Sequence, residues 1–335
     1  MAVFTPLSLE ELTPVLEREF AIGQVSDLRG IHGGIENSNF FLDTKLPLSS
    51  SNQTQYEYVI TIFERLSFEQ VPYYLELMLH LANKGIPVPK PIATRSGGLA
   101  FSIKDKPAAI VSKLQGRPQL TPTAEHCALV GDALGKMHVA GIDFKLDQPN
   151  LRSMPWWKKT VPLVLPHLNE NQRALISSEM EFQTQFFSSS TYSDLPAGPC
   201  HCDLFRDNVM FNEGDQAISL GGFFDFYFAG TDKWLFDLAV TANDWCLQSI
   251  NTEKTAALHT ESIAALLNSY QATRPLSETE KSAWPAMLRA AALRFWISRL
   301  WDFYLPRNAQ MLTPHDPRHF ERILLERRKP SANFS

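Results

Sequence analysis

The sequence His201-Cys202-Asp203-Leu204-Phe205-Arg206-Asp207-Asn208, followed by Asp225-Phe226-Tyr227, is the most informative part of this chain. A carboxylate at Asp203 has the chemistry to accept the proton of an attacking hydroxyl group. Asn208 and Asp225 supply the hard oxygen atoms that Mg²⁺ prefers. Phosphoryl transfer asks a protein mainly for positioning and charge stabilisation, so these three side chains indicate that class of reaction.

The spacing H-x-D-L-x-x-x-N followed by D-F is that of a kinase catalytic loop and its metal-binding aspartate. A buried structural turn is the competing interpretation, because His, Asp and Asn often bond nearby backbone in turns. The flanking sequence favours the catalytic loop, since it predicts a strand at 209–211, a turn at 212–215 and a second strand at 218–224. We expect His201 to hold the loop by hydrogen bonds, while Asp203 acts as the base.

The bulk composition is that of an ordinary globular protein. The chain has 335 residues, 44% hydrophobic and 20% charged, with a net charge of −5. The acidic balance without a basic block argues against nucleic acid as a partner. The N-terminus lacks the pattern of a secretory signal and no apolar run reaches membrane-spanning length, so we expect a cytoplasmic protein without a membrane partner. The four cysteines are expected to be free thiols: Cys127, Cys200, Cys202 and Cys246.

Hydrophobic periodicity divides the chain into a β-rich first third and a mostly helical remainder, which predicts an α+β fold. We place an N-terminal lobe at 1–112, a hinge at 113–118 and a C-terminal lobe at 119–335. Strands are expected near 25–31, 39–43, 56–63, 99–103 and 108–112, with helices at 8–19 and 68–84. The remainder is expected to contain helices at 123–140, 168–187, 233–249, 253–270, 278–304 and 317–328. Its only expected strands are the pair beside the catalytic loop, and 155–157 and 188–199 are expected to be loops.

Five stretches, spread in order along nearly the whole chain, resemble the aminoglycoside-phosphotransferase-like kinases. They are G-I-E-N-S-N-F-F-L from Gly34, Y-V-I-T-I-F-E from Tyr58, G-I-P-V-P from Gly85, the H-C-D-L-F-R-D-N string, and D-F-Y-F-A-G-T from Asp225. Within that group the chain is most similar to the homoserine kinase branch. The resemblance implies a bilobal, protein-kinase-like fold that uses ATP and Mg²⁺. It also implies phosphorylation of L-homoserine to O-phospho-L-homoserine, a step toward threonine.

Carried over by position, Asp203 is the catalytic base and Asn208 and Asp225 are the Mg²⁺ ligands. A loop after the first strand would cover the nucleotide phosphates, although a plain hairpin turn is an equal alternative when the loop is taken alone. The residues assigned to nucleotide binding are Gly33, Gly34, Asn37, Ser38, Asn39, Thr61 and Ser112.

The third strand departs from the usual pattern of this architecture. Kinases of this kind place a lysine there to face the phosphates, whereas this chain has Thr61. Arg65 is a local candidate to replace that lysine, and an ordinary solvated charge is an equally good interpretation. The helix glutamate that would pair with such a strand lysine is open between Glu69 and Glu76. Asp237 resembles the aspartate that fixes the catalytic loop, or it is an acidic residue favoured by the helix dipole.

Substrate recognition is predicted from a helix that carries charges among aromatic residues. Homoserine has a carboxylate suited to an arginine fork and an ammonium suited to an aspartate. We therefore expect Arg294 or Arg299 to bind the carboxylate and Asp302 to bind the ammonium. The alternative is an internal pair of Arg299 with Asp302. Tyr227 and Glu36 are further candidates for the substrate pocket.

Two other functions stay open at this stage. A kinase of the same architecture acting on another small alcohol, such as an aminoglycoside, choline or another amino alcohol, would share the same catalytic loop. A nucleotide-binding scaffold without activity would explain the missing strand lysine. The complete set of Asp203, Asn208 and Asp225 argues against that second alternative.

Overall fold

The fold is taken from a computed structural model. The structure describes residues 5–31, 37–45, 55–214, 217–248, 255–305 and 315–329. These residues form two compact units, one within 1–114 and the other from 115 onward. The first is built on a sheet and the second is mainly helical, so the predicted α+β class is confirmed. The limits of the predicted lobes stay a prediction.

The N-terminal unit is a five-stranded antiparallel sheet with two helices. Its strands are β1 (Gln24–Gly30), β2 (Ser38–Lys45), β3 (Gln55–Ile62), β4 (Phe101–Ile103) and β5 (Lys106–Ser112), in the order β1-β2-β3-β5-β4. The helices are α1 (Leu9–Glu19) and α2 (Val71–Asn83). Helix α1 begins with a capping box in which Ser8 and Glu11 satisfy each other's backbone N–H groups. Leu12 and Leu16 of α1 belong to the same apolar core as Leu42 and Ile60 of the sheet.

The C-terminal unit contains eight helices among its described residues. They are α3 (Ala124–Ala140), α4 (Met154–Val164), α5 (Glu170–Phe187), α6 (Ser190–Ser193), α7 (Trp234–Trp245), α8 (Thr260–Thr273), α9 (Glu278–Tyr304) and α10 (Arg318–Arg327). Helix α3 packs on α8, while α4, α7 and α10 pack on α9. The 27-residue helix α9 is therefore the central element of this unit.

Five short strands accompany these helices and position the polar loops. They are β6 (Arg117–Pro118), β7 (Ala197–Cys200), β8 (Val209–Asn212), β9 (Ser219–Phe223) and β10 (Gly230–Lys233). Strands β6, β8 and β9 form one sheet, and β7 pairs with β10 in another. The predicted strands beside the catalytic loop are present as β8 and β9. The expectation that they are the only strands of this region is wrong, because β6, β7 and β10 are too short to show a period-2 pattern.

Two predicted loops are also wrong. Residues 155–157 lie inside α4, although a proline at position 155 suggests a loop. Pro155 occupies the first turn of the helix, where its missing N–H costs no hydrogen bond. Trp157 on this helix is fully buried. The segment 188–199 contains α6 and most of β7 rather than a loop alone.

The four cysteines are free and buried, as predicted. Helix α8 begins at Thr260, later than the predicted 253, and residues 249–254 lie outside the described residues. Nowhere in the described part of the chain is a helix both long and apolar enough to cross a bilayer.

Candidate active site

The loop that carries Asp203 runs between β7 and β8 and is held by the carboxylate of Asp237. The Oδ2 atom of Asp237 accepts the backbone N–H of His201 at 2.7 Å, and its Oδ1 atom accepts that of Cys202 at 2.8 Å. Cys202 has a positive φ of 64°, a conformation that costs an L-residue energy and needs such support. Asp237, in the first turn of α7, therefore shapes the loop in addition to any interaction with the helix dipole.

His201 fixes the loop against the end of β9. Its Nε2 lies 2.8 Å from the carbonyl oxygen of Phe224, and its Nδ1 accepts the backbone N–H of Asp203 at 3.3 Å. These bonds assign the proton to Nε2 and leave the ring neutral. Desolvation lowers the pKa of His201, which agrees with a neutral ring. Both ring nitrogens contact backbone atoms, so the geometry gives His201 a supporting role.

The three predicted residues of the phosphoryl-transfer chemistry lie close together in this loop region. The Nδ2 atom of Asn208 donates to the carbonyl oxygen of Asp203 at 2.8 Å, which leaves its Oδ1 as the atom that could bind a metal. Asp225 follows β9 in a left-handed conformation with φ 66° and ψ 55°. Asp is among the few residue types that adopt this conformation readily, and such local strain is common at functional sites.

The electrostatics of Asp203 suit a proton acceptor. Desolvation raises the pKa of Asp203 to about 7, the charge of Arg294 opposes that rise, and the charge of Asp225 adds to it. A carboxyl group that titrates near neutral pH can accept a proton and release it. The donor set of one amide oxygen and nearby carboxylates fits Mg²⁺, which prefers hard oxygen ligands.

Helix α9 places Arg294 beside Asp203. Arg294 is only 3% exposed, and its Nη1 lies 3.7 Å from Oδ1 of Asp203, too far for a hydrogen bond. Its Nε has no hydrogen-bond partner within the described part of the chain. The guanidinium lies over the ring of Phe295, 3.7 Å from its centroid. Desolvation lowers the pKa of Arg294 to about 10.

Arg299 lies one and a half turns further along α9 and is partly buried. Its pKa is lowered by desolvation, and the carboxylates of Asp203, Asp302 and Asp207 act against that shift. The structure thus brings Arg294 and Arg299 together with Asp203. Asp302 is close enough to Arg299 for their charges to interact, and Tyr227 lies two residues beyond Asp225 with a partly buried side chain.

Sequence reasoning missed a second anchor of the loop. Asp244 of α7 accepts the backbone N–H of Arg206 at 2.8 Å, and its two oxygens also accept the guanidinium Nε at 3.0 Å and Nη2 at 3.1 Å. Asp244 lies seven residues after Asp237, so both acids lie on one face of α7. That i, i+7 pair of acids was the sequence signal that could have revealed it.

A buried chain of polar side chains continues behind Asp237. His138 of α3 bonds Oδ2 of Asp237 at 3.1 Å and the hydroxyl of Tyr270 at 2.8 Å. Tyr270 in turn accepts Nη1 of Arg274 at 3.1 Å, and Arg274 donates to Glu280 at 2.7 Å. No local pattern links His138 to Asp237 and Tyr270, because these residues lie about 100 or more positions away from it in the sequence.

In the N-terminal unit, three of the predicted nucleotide-binding residues lie on neighbouring strands. The Oγ1 atom of Thr61 donates to Oδ1 of Asn39 at 2.8 Å, and Oγ of Ser38 donates to Oε1 of Glu64 at 2.5 Å. Glu64 also forms an ion pair with Lys106, a pair that the sequence had not suggested.

The other predicted nucleotide-binding residues have separate surroundings. Asn37 is buried, and Ser112 accepts the backbone N–H of Lys90 at 2.9 Å. Gly33, Gly34 and the substrate candidate Glu36 lie outside the described residues.

Comparison with known proteins agrees with this geometry. The sequence model of the phosphotransferase enzyme family matches residues 27–276. A homoserine kinase of Cupriavidus necator is 57% identical over 98% of this chain and 96% of its own length. A homoserine kinase of Ralstonia pickettii is 54% identical over 98% of this chain and 96% of its own.

Solved structures show the same fold at low identity. An amicoumacin kinase in complex with AMP-PNP, Ca²⁺ and its ligand matches with a TM-score of 0.68 at 14% identity, covering 96% of this chain and 92% of that one. A spectinomycin phosphotransferase in complex with ADP and spectinomycin matches with a TM-score of 0.62 at 15% identity, covering 98% of this chain and 97% of that one. The predicted protein-kinase-like fold is thereby confirmed. The chain belongs to the phosphotransferase enzyme family and, within it, groups with the homoserine kinases.

Proposed function

We propose that this enzyme transfers the γ-phosphoryl group of ATP to the side-chain hydroxyl of L-homoserine, giving O-phospho-L-homoserine and ADP on the route to threonine. The observation that carries the proposal is the loop in which Asp203 and Asn208 are joined by a 2.8 Å hydrogen bond beside Asp225. The acceptor is taken from the homoserine kinases that match the chain at 54–57% identity over nearly its whole length.

In this mechanism Asp203 accepts the proton of the homoserine hydroxyl as that oxygen attacks phosphorus. Burial keeps the pKa of Asp203 near 7, which suits a base that must also give the proton back to solvent. The proton ends on Asp203, and the leaving ADP oxygen takes the electrons of the broken P–O bond. The anchors Asp237 and Asp244 hold the loop, so little reorganisation is needed during the reaction.

Asn208 and Asp225 would hold Mg²⁺. A bound Mg²⁺ neutralises charge on the phosphate oxygens. We place the N-terminal lobe at 1–112, the hinge at 113–118 and the C-terminal lobe at 119–335. The nucleotide would contact the residues assigned to it in the N-terminal lobe. These are Gly33, Gly34, Asn37, Ser38, Asn39, Thr61 and Ser112.

For the acceptor, we assign the carboxylate to Arg294 or Arg299, with Asp302 as a candidate for the ammonium and with Tyr227 and Glu36 as further pocket residues. The buried Nε of Arg294 supports this assignment, because a guanidinium donor without a partner is costly unless a ligand supplies an acceptor.

The test is a panel of alcohols with ATP and Mg²⁺, read by ADP release. L-homoserine, choline, 3-amino-1-propanol and an aminoglycoside represent the candidate acceptor classes. We expect kcat/KM for L-homoserine to exceed that of every other alcohol by at least about 100-fold, since buried polar groups reject substrates that leave them unpaired. A better acceptor in the panel would replace homoserine, and no turnover with any of them would favour the inactive scaffold.

The metal assignment has its own test. Asn208→Ala and Asp225→Ala should each weaken binding of Mg·ATP while leaving binding of metal-free ATP nearly unchanged, as measured by calorimetry. Both variants remove an oxygen ligand of the type that Mg²⁺ requires. If both keep the Mg²⁺ dependence of the unaltered protein, these residues are not the ligands.

A further inference from the structure

We propose that Arg152 binds the carboxylate of the acceptor, next to Arg294, and so makes the site selective for an alcohol that carries a carboxylate. This inference rests on the proposed function, since it names a further residue that recognises one end of that substrate. Arg152 shows no sequence signal of this role, because it lies far before the loop of Asp203 in the chain and only folding brings it near.

The segment that precedes α4 lies directly against β10, the strand that follows the Asp225 turn. The N–H of Thr231 donates to the carbonyl oxygen of Gln148 at 2.6 Å, and the N–H of Asn150 donates to that of Thr231 at 3.1 Å. The approach is close at Gly230, where an added Cβ atom would lie 2.8 Å from Cα of Asn150. A glycine at position 230 therefore lets this segment pack beside the residues that follow Asp225.

The backbone of Arg152 is fixed on both sides. Its N–H donates to Oδ1 of Asn150 at 2.9 Å, and its carbonyl oxygen accepts the indole N–H of the buried Trp157 at 2.6 Å. The side chain of Asn150 is itself held, because its Nδ2 donates to Oδ2 of Asp232 at 2.7 Å. A side chain on a fixed backbone loses less conformational entropy when it binds a ligand than one on a mobile segment does.

Two aromatic rings locate the guanidinium of Arg152. Its Cζ lies 4.5 Å from the centroid of the Trp156 ring and 5.8 Å from that of the Phe228 ring. The Cζ of Arg294 lies 5.5 Å from the same Phe228 ring. Both guanidinium groups are therefore found at one ring, three residues beyond Asp225. An aromatic ring attracts a cation through its charge, so this contact does not use the N–H donors that bind anions.

The charges at this ring favour an anion. Two guanidinium groups at one ring repel each other, and the repulsion is stronger where water is scarce. Arg294 is only 3% exposed, and its Nε has no hydrogen-bond partner among the described residues. Desolvation lowers the pKa of Arg294, Asp203 opposes that shift, and the charge of Arg152 adds to it. A carboxylate bound beside both arginines would relieve the repulsion and supply an acceptor for their donors.

The size of homoserine agrees with this position. Its hydroxyl oxygen and its carboxylate carbon are separated by three carbons, about 5 Å when the chain is extended. Nη1 of Arg294 lies 3.7 Å from Oδ1 of Asp203. An acceptor whose hydroxyl contacts Asp203 therefore brings its carboxylate within reach of Arg294, at the ring that Arg294 shares with Arg152.

The experiment measures how Arg152→Gln changes the response to the carboxylate. Three acceptors are compared by kcat/KM with ATP and Mg²⁺: L-homoserine, 4-hydroxybutyrate, which lacks only the ammonium, and 3-amino-1-propanol, which lacks only the carboxylate. We expect Arg152→Gln to lower kcat/KM by about 30-fold or more for the two carboxylates, the loss typical of a charge pair in a site. The value for 3-amino-1-propanol should fall by less than about 3-fold or rise, because the variant removes a charge that repels this cation.

Two further variants make the outcome decisive. Arg152→Met keeps an apolar stem against Trp156 and removes the charge, so it should repeat the selective loss even if Arg152→Gln folds poorly. Lys158→Gln removes an exposed cation of α4 and should leave all three values unchanged. An equal loss for all three acceptors in both Arg152 variants would mean that Arg152 only supports the fold, and the inference would be wrong. Weaker binding of Mg·AMP-PNP by calorimetry, with the preference for carboxylates intact, would assign the anion to the nucleotide and would also overturn it.

The same measurements separate this inference from the proposed function. If the unaltered enzyme prefers homoserine and both Arg152 variants keep that preference, the function stands and the inference fails. If the unaltered enzyme prefers 3-amino-1-propanol to homoserine, the proposed acceptor is wrong. Arg152 is then tested with 4-hydroxybutyrate against 1-propanol, which lacks the carboxylate. A preference for 4-hydroxybutyrate that Arg152→Gln abolishes would keep the role of Arg152, and equal turnover of the two by the unaltered enzyme would overturn it.

Discussion

The loop that carries Asp203 and the charged side chains of α9 differ in how their polar groups are satisfied. In the loop, the backbone N–H groups of His201, Cys202 and Arg206 all end on carboxylates of α7. On α9, the guanidinium of Arg294 is buried, its Nε has no hydrogen-bond partner among the described residues, and its Nη1 lies 3.7 Å from Oδ1 of Asp203. These three N–H groups of the loop are satisfied without a ligand, whereas the Nε donor of Arg294 has no acceptor in the described part of the chain.

In the proposed function, this difference separates the residues of the chemical step from those that recognise the acceptor. A base works best when its surroundings are already arranged, because reorganisation during the reaction raises the barrier. A recognition charge discriminates best when leaving it unpaired is costly, because a wrong ligand then cannot compensate for its burial.

The largest effect is expected at the base. Asp203→Asn keeps the shape of the side chain but removes its ability to accept a proton, so kcat should fall by about 10²–10⁴-fold. The melting temperature and the affinity for Mg·ATP should stay close to those of the unaltered protein, because the loop anchors do not involve this side chain. Steady-state kinetics and calorimetry measure both. A variant with nearly full kcat would show that another residue is the base.

The next largest effect is a loss of stability at Asp237, whose carboxylate anchors the loop. Asp237→Asn replaces one of two acceptor oxygens with a donor group that faces backbone N–H groups, and should lower the free energy of unfolding by about 3 kcal/mol. Chemical denaturation measures it, with Asp147→Asn as an exposed control. A loss below about 1 kcal/mol would mean that the loop holds its shape without this carboxylate.

The pH dependence of that loss follows from the direction of the pKa shift. Desolvation raises the pKa of Asp237, but the hydrogen bonds from His138 and the His201 N–H outweigh it and leave the pKa below its ordinary value. Its stabilising contribution is therefore complete above the pKa of an unfolded aspartate, about 3.9, and is lost as pH falls through the lower folded value. The stability gap between the unaltered protein and Asp237→Asn should be constant from about pH 5 to 7 and narrow below about pH 4.

The sequence pattern grouped the residues proposed for chemistry more readily than those proposed for recognition. Asp203, Asn208 and Asp225 lie within one short segment, so their spacing alone brought them together. The strands and helices around them have strong periodicity, and α9 was predicted at its observed limits of 278–304. Local patterns identify groups that local backbone geometry assembles.

Residues that meet through tertiary packing escaped the same reasoning. His138 lies on α3 and Asp244 lies late in α7, and only folding brings them to the loop. Helix α4 was missed because Pro155 looks like a helix breaker, although the first turn of a helix accepts proline. The Lys106–Glu64 pair joins the start of β5 to the residues after β3, and no spacing rule links the two.

On the recognition side, Arg299→Ala should raise KM for L-homoserine by roughly 30-fold, about 2 kcal/mol, with little change in KM for ATP. Arg299→Lys should restore only part of the loss, because a lysine lacks the two-pronged geometry that a carboxylate accepts. The melting temperature is measured alongside. If Arg299 only neutralises Asp302, the variant should instead lose stability, and the two KM values should rise equally or not at all.

The smallest expected change in stability concerns Arg294, whose hydrogen bonding differs most from that of the loop. Arg294→Met replaces a buried cation, whose Nε has no hydrogen-bond partner among the described residues, with an apolar side chain of similar reach. The free enzyme should become more stable by about 1 kcal/mol, roughly 2 °C in melting temperature, while binding of homoserine is lost. Asp203 loses a neighbouring cation in this variant, but its pKa of about 7 lets it take up a proton instead.

Arg289 on the same helix provides the matched control for Arg294→Met. Its guanidinium donates to both oxygens of the buried Glu179, with distances of 2.6–3.2 Å. Arg289→Met would leave that buried carboxylate with only the amide of Gln183 at 3.0 Å and the more distant Arg328 at 3.8 Å, and should cost about 3 kcal/mol. Differential scanning calorimetry without and with homoserine compares the two variants. If Arg294→Met destabilises the free enzyme as much as Arg289→Met does, then Arg294 is satisfied within the fold. The proposed difference, in which the loop has its hydrogen-bond partners in the free enzyme and α9 gains one only with the substrate, would then be wrong.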